Sequence, residues 1–470
     1  MSTVARTNTR ERSKPPVRTS LGIFASSIDT VGTQPKPQTP RAKAARDTAQ
    51  EQNKQARFQL QRAAQGLLPQ ERVAHCQRST MSSAGVVVYR SAAKGASYGN
   101  LATCGSVWHC PICSAKITEN RRQELQSNIN TWAQSGGETY LMSLTFPHQE
   151  NQALGENLKK FSAALKQFKD SRAYKNTMKE VGSLGSIRAL EVTHGSNGWH
   201  PHTHDLVFAA KGQLAKLQEL QIVWIETLIK CGIAERSQLN DMFKAAFDVQ
   251  NGDYAAEYVA KFGHEATEAS KELTHSHWGA SHELTKAHQK VGKRLGGRTP
   301  FTLLLDFIKG DTASGELFQE FGKHFKGKRQ LFKSPKLIFA LAVLQWCEDK
   351  QPAQIQAAGV VLNSRGKPTF DYSAEEKTSI LKAIHHSEKS DDEIAAEELP
   401  DREFVTALDS HQWNLVLSRN ARFEVLRVAQ DHGADGVAEL LLDLETRRRS
   451  HQGVHHEKRS MSSGWCRLDA

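Results

Sequence analysis

Several things are missing from this chain of 470 residues. No apolar run approaches the ~18 residues a membrane-spanning helix needs, so no membrane partner is expected. The first twenty residues, MSTVARTNTRERSKPPVRTS, are basic but lack the apolar stretch of a secretory signal. With a mean hydropathy of −0.55, this makes a cytoplasmic protein the expectation. No internal repeat is visible. No phosphate-binding-loop pattern is present, since GVVLNSRGKPT at 359–369 fails the spacing, which excludes a recognisable nucleotide-driven motor. Cysteine is scarce, odd in number (seven) and unevenly spaced. Without a signal segment, that argues for metal ligands plus bystanders rather than a disulfide framework. Acidic residues fall short of basic ones, 51 against 62, for a net charge of +11 and a pI near 9.2. Such a surplus favours a polyanionic partner, although membranes and acidic proteins also satisfy it.

The length allows two or three domains. Residues 1–58 hold eleven Lys/Arg against four Asp/Glu among Pro, Thr, Ser and Gln, and read as a disordered basic arm. A Cys-rich, zinc-binding segment follows at 59–115. Residues 116–336 read as the main domain. TYLMSLTF (139–146) has the composition of a strand ended by Pro147, and ALGENLKKFSAALKQFKDSR (153–172) is amphipathic at helical spacing. LGSIRALEVTHG (184–195) and HTHDLVFAA (202–210) read as a strand hairpin around a Gly/Asn turn. QLAKLQELQIVWIETLIKCG (213–232) is a further helix stopped by glycine. The order predicts an α+β fold, a central antiparallel sheet with flanking helices. The end of this domain, 290–336, is again basic, with eleven Lys/Arg to four acids. Residues 337–403 read as a helical segment and an acidic linker (374–399), and 404–470 as a small helical C-terminal module.

The hairpin carries the most chemistry. RALEVTHGSNGWHPHTHDLVF (188–208) packs His194, His200, His202 and His204 behind Glu191. On a strand, residues two apart share a face, so His202 and His204 converge while Thr203 turns away. Antiparallel pairing across the turn brings the Glu191 carboxylate beside them. Two imidazoles and one carboxylate with open positions form a catalytic rather than a closed metal set, suited to Mg²⁺ or Mn²⁺, or to Zn²⁺ by affinity. A surface hairpin that happens to be rich in histidine is the bland alternative.

Cys76, Cys104, Cys110 and Cys113 supply a second set. The Cys-x-x-Cys pair fits two corners of a Zn²⁺ tetrahedron, Cys104 a third, and Cys76 the fourth across a longer loop. His75 or His109 can replace one ligand. Four thiolates would make a structural site for a segment with little core of its own. A redox Cys-x-x-Cys is the rival, but nothing thioredoxin-like surrounds it. Cys231, Cys347 and Cys466 are isolated.

The HPHTH stretch inside LEVTHGSNGWHPHTHDLVF resembles the histidine motif of HUH endonucleases, and more closely that of rolling-circle plasmid replication initiators of the Rep-1 type. YLMSLTFPH (140–148) resembles the upstream strand motif of that family. CGSVWHCPICSAKI resembles the matching segment of relatives on Gram-negative plasmids. The resemblance spans roughly 76–335. It implies that His202 and His204 hold a divalent metal, with Glu191 completing the site. It also implies a nucleophilic tyrosine on a downstream helix. GDYAAEYVAKFG (252–263) offers Tyr258, with Lys261 at the family's Tyr-x-x-Lys spacing, and Tyr254 one helical turn earlier. Phe262 stands where neither a second tyrosine nor an acid is available, which leaves termination open between Tyr254 and an acid-activated water. The implied activity is metal-assisted nicking and rejoining of plasmid DNA at a replication origin through a 5′-phosphotyrosine. A host helicase and DNA polymerase would be partners, and a homodimer is open. A mobilisation relaxase and a non-enzymatic zinc-containing DNA-binding regulator are the alternatives. Relaxases often place the tyrosine ahead of the histidines, whereas here it follows them.

Overall fold

The computed structural model describes residues 40–92, 95–252, 297–364, 366–397 and 402–452. Tyr254, Tyr258 and Lys261, as well as Cys466, lie outside the described residues. The α+β expectation holds, with antiparallel sheets flanked by helices.

The larger sheet is built from β3 (Glu138–Leu144), β4 (Gly185–Gly195), β5 (Gly198–Ala209), β6 (Phe247–Asn251) and β7 (Leu331–Lys333), in the order β6-β3-β5-β4-β7. Every neighbouring pair is antiparallel. Its centre is the hairpin anticipated from the sequence, β4 and β5 joined by Ser196-Asn197, with Gly195 opposite Gly198. Gly198 sits at φ +76, a left-handed conformation that suits a tight hairpin turn, and a Cβ there would meet the Glu150 carbonyl at 2.9 Å. β5 therefore starts at Gly198, four residues before the predicted start. Pro201 lies inside it without breaking the ladder. Its nitrogen points to the side where β3 has already ended, since Leu144 pairs with Thr203.

Strand alternation gives the sheet two faces. Tyr140, Met142, Leu144, Val207 and Ala209 pack on one face against helices α3 (Leu154–Asp170), α4 (Arg172–Glu180), α6 (Leu220–Lys230) and α7 (Leu239–Ala245), with the short α5 (Leu214–Gln218) beside them. In α3 the residues Leu154, Leu158, Phe161, Leu165 and Phe168 recur at spacings of four and three and are all buried. Each such side chain contributes roughly 1.5–3 kcal/mol by leaving water. The other face presents Leu141, Ile187, Ala189, Leu206 and Phe208 to α2 (Pro111–Gln134) and α10 (Pro335–Cys347). This cover ends before the row of sheet residues does, and beyond it on the same face come Ser143, Glu191, His202 and His204.

The remaining elements depart from the expected domain plan. α1 runs from Pro40 to Leu67, so the stretch read as a basic arm up to residue 58 is helical from 40 onward. Its Ala56, Leu60 and Ala64 are buried at four-residue spacing. After β1 (Val86–Arg90) and β2 (Ser97–Gly99), a three-stranded sheet is completed from far along the chain by β8 (Glu403–Leu408), in the order β2-β1-β8. The stretch read as a helical tail thus opens with a strand. Only then come α14 (Ser410–Ser418) and the run α15 (Arg422–Gln452), broken at Gly433. The acidic stretch read as a linker holds α12 (Ala374–Ala383) and α13 (Asp391–Ala396), each opened by a serine capping box at Ser373 and Ser390. Acids in the first turn favour a helix start through the macrodipole, so they need not signal a solvated tether. Ile394 and Ala395 of α13 are buried in the core shared by the cysteines and by α8 (Pro300–Ile308) and α9 (Thr312–Phe325). α11 (Pro352–Ala357) and α12 close a smaller core behind α10.

Candidate metal centres

Register decides the first centre. Glu191 stands directly opposite His202 across the β4–β5 ladder, and His204 follows two residues on along the same face. One ligating atom from each of the three lies within 4.8 Å of the others. The Glu191 Oε2 is 3.3 Å from His202 Nε2 and 3.7 Å from His204 Nε2. A single ion about 2.1 Å from each atom would space cis ligands roughly 3.0–3.5 Å apart, so the set fits one cation after a small contraction. Glu191 and His204 are buried and His202 is partly exposed, so the set meets solvent on the His202 side.

The surrounding atoms point the same way. His204 Nδ1 is 2.8 Å from Ser143 Oγ, and His202 Nδ1 is 3.1 Å from the His200 carbonyl. Both rings thereby spend Nδ1 on the protein and turn Nε2 toward the carboxylate, the usual support of a metal-bound imidazole. Glu191 Oε1 is buried and has no hydrogen-bond partner, an orphan atom that a cation would satisfy. Burial raises the Glu191 carboxyl pKa, yet the imidazoles of His204 and His202 outweigh it and hold the group well below the usual carboxylate range. The histidine row continues through His200, which stacks on His202 at 5.0 Å and on His148 at 4.5 Å. Burial and the neighbouring rings of His202, His148 and His204 push His200 well below the usual imidazole value, so it stays neutral. Its Nε2 contacts Thr145 Oγ1. The tip of the hairpin is tied down by Trp199, whose indole donates to Glu320 at 2.8 Å. The Glu320 carboxylate also accepts from the Leu154 amide at 3.1 Å.

Ser143 was not among the residues singled out from the sequence. It is one of two small hydroxyls, with Thr145, inside the apolar run YLMSLTF, at a position that shares a face with Leu141, and that is the signal it left.

The second centre is the cysteine cluster. Cys76, Cys104, Cys110 and Cys113 are all buried, with sulfurs within 4.8 Å of one another. Three separations are 3.7 Å: Cys76 to Cys113, Cys104 to Cys113 and Cys110 to Cys76. A disulfide would need about 2.05 Å. The edge of a tetrahedron with metal–sulfur bonds of about 2.3 Å is about 3.8 Å, so the thiols are spaced for Zn²⁺. Burial alone would push Cys110 up, but hydrogen bonds from Cys104, Cys113 and Cys76 hold it well below the usual thiol range. Cys76 and Cys113 are pushed up, chiefly by hydrogen bonding with Cys104 and Cys110. A bound cation would take the place of thiol protons. His75 and His109 are not in this group; the His109 ring packs edge-on against Phe321 instead. Cys231 and Cys347 stand apart from it, both half-buried.

Sequence reasoning missed what surrounds the thiols. Gln61 of α1 donates to Cys110 Sγ at 3.5 Å, and its Oε1 accepts from Arg422 Nη1 at 2.6 Å. Burial lowers the Arg422 pKa to about 10, and the guanidinium stays charged over the Phe58 ring. A buried cation joined through one amide to a set of thiolates balances their negative charge.

Residues 100–227 match the family model described as a replication protein, Rep_1. The chain is 29% identical over 168 residues to a protein named Protein rep from Streptomyces lividans, across 30% of this chain and 37% of that one. It is 30% identical over 149 residues to a protein named Neomycin resistance protein from Streptomyces cyanogenus, across 26% of this chain and 34% of the other. The chain thus spans about a third of the length of these curated relatives. No solved structure matches it. The matched segment holds three of the four cysteines and the whole Glu191–His202–His204 set, and through it the chain resembles plasmid replication initiators of the Rep-1 type.

Proposed function

We propose that the chain initiates rolling-circle replication of a plasmid by nicking one strand at the origin and rejoining it at termination, on an HUH-type nuclease scaffold. The observation that carries this reading is the convergence of Glu191, His202 and His204 on one sheet face within the matched segment. A bound Mg²⁺ or Mn²⁺ would neutralise charge on the scissile phosphate and orient it for in-line attack. Glu191 Oε2 and the two Nε2 atoms would hold that ion, and Ser143 and the His200 carbonyl fix the two rings.

Tyr258 is the proposed nucleophile. Its phenol oxygen bonds to phosphorus, the bond from phosphorus to the 3′ oxygen breaks, and that oxygen leaves as a hydroxyl that primes a host polymerase. The phenol is a weak nucleophile near neutral pH, with a pKa of about 10, which is why a nearby cation matters. Lys261 offers further positive charge. β6 ends with Asn251 opposite Tyr140, three residues or about 10 Å along β3 from Ser143, so the stretch that carries Tyr258 leaves the sheet next to the strand that carries Ser143. Termination runs through Tyr254 or an acid-activated water, and a host helicase opens the duplex.

The test is a supercoiled plasmid bearing the cognate origin, incubated with protein and Mn²⁺. Covalent attachment of the 5′ end by wild type and none by Tyr258→Phe is the expected result. Equal attachment by both moves the nucleophile to Tyr254. Absence of nicking by the wild type favours the zinc-containing DNA-binding regulator.

A further inference from the structure

We infer that the turn at residues 326–330 is a preformed phosphate clamp at the rim of the His/Glu centre, with Lys328 and Arg329 as its cations and a single DNA strand as its ligand. The inference rests on the reading of the protein as DNA-binding but not on its nicking.

The turn is fixed from three sides. α9 ends at Phe325, and Gly327 reverses the chain at φ +71 with the Lys328 amide bonded back to the Phe325 carbonyl at 3.1 Å. The buried Trp108 spends its only polar hydrogen on the Lys328 carbonyl, at 2.7 Å. The Leu190 amide donates to the Gln330 carbonyl at 2.8 Å, and Arg121 donates to the Gln330 side chain at 2.6 Å. Gln330 itself is 2% exposed. Lys328 and Arg329 are nonetheless exposed.

Placement follows from register. β7 pairs Leu331 with Ala189, and the Leu190–Gln330 bond extends the ladder by one residue. The ladder thus ends at Leu190, the residue before Glu191 of the metal set, and Arg329 is the next residue of the turn. Lys326, in the same turn, is matched by Glu71 at 2.9 Å. Lys328 and Arg329 have no ion pair among the described residues. Two exposed cations on a backbone held by buried donors have already lost much of the freedom that binding would otherwise cost. They are positioning residues and take no part in bond making.

The test uses the full chain and a fluorescein-labelled oligothymidylate, read by anisotropy across a salt series. Lys328→Ala/Arg329→Ala is expected to make the slope of log affinity against log salt shallower by about 1.4, and to weaken binding on the order of tenfold at about 0.1 M salt. Lys328→Gln/Arg329→Gln, which keeps most of the aliphatic stems, must reproduce the loss. Lys175→Ala/Lys179→Ala removes two charges from α4, on the far face of the sheet, and must leave the slope unchanged. An unchanged slope in the turn variants, or an equal loss in the α4 variant, overturns the clamp. Nicking of origin plasmid at limiting protein should fall in the turn variants along with their affinity for oligothymidylate. A wild type that binds oligothymidylate through the turn yet never nicks would overturn the nicking reading and leave the clamp standing.

Discussion

The two candidate metal centres are built in opposite ways. The cysteine cluster has four soft ligands, all buried, closed on every side by α1, α2 and the core they share with α9. The His/Glu centre has three harder ligands on a sheet face beyond the end of its helical cover, one of them partly exposed. A closed set returns its binding energy to the fold, because no position is left for substrate. An open set contributes less to stability and leaves coordination sites for chemistry. Their second shells differ in kind as well. The thiols are balanced by a buried arginine through Gln61, whereas the imidazoles are oriented by a serine hydroxyl and a carbonyl.

The sharpest way to break this comparison is to remove one ligand from each centre. Cys113→Ser should cost several kcal/mol of folding free energy and lower the thermal midpoint by on the order of 10 °C, with loss of bound zinc by elemental analysis. A variant that melts like the wild type would deny the cluster its structural role. Glu191→Gln should leave the melt within a few degrees while slowing Mn²⁺-dependent single-turnover nicking about a thousandfold. If it unfolded the protein instead, the contrast between the centres would be lost. Ser143→Ala sharpens the contrast at the next level. Mn²⁺ should bind about 10–100-fold more weakly, with the nicking rate restored at saturating metal. A rate that stays low at saturation would mean that Ser143 acts on the reaction and not on the ring of His204. The smallest effect is expected at Gln61→Ala, about 1–3 kcal/mol in chemical denaturation, because Arg422 loses one partner while the four sulfurs remain. Faster zinc loss to a chelator in this variant would tie the arginine to the cluster, and an unchanged rate would separate them.

Much of the His/Glu centre was legible because its determinants are local. The alternation of a strand sets His202 and His204 on one face, and the glycine-flanked turn fixes the register that sets Glu191 opposite His202. The four cysteines were legible by residue type and by the spacing of the last two. Ser143 was harder, since a serine in a strand has no signature until β3 is known to pair with β5. Gln61 and Arg422, 361 residues apart, have no local signal at all. The acidic stretch near α13 misled because charge density resembles a tether, while the buried pair Ile394 and Ala395 is too short a pattern to override it.

Local chemistry, then, was settled by the chain itself: which strands alternate, where the hairpin turns, and which side chains can grip a metal. Those properties depend on residues a few positions apart, and backbone geometry enforces them wherever the segment folds. The partnership of β1 with β8, the docking of α1 against the thiols and the seating of the 326–330 turn beside β4 were decided only by the assembled molecule. Contacts across hundreds of residues are selected by which buried surfaces and unsatisfied polar atoms fit one another, and no stretch of sequence holds both halves of that fit.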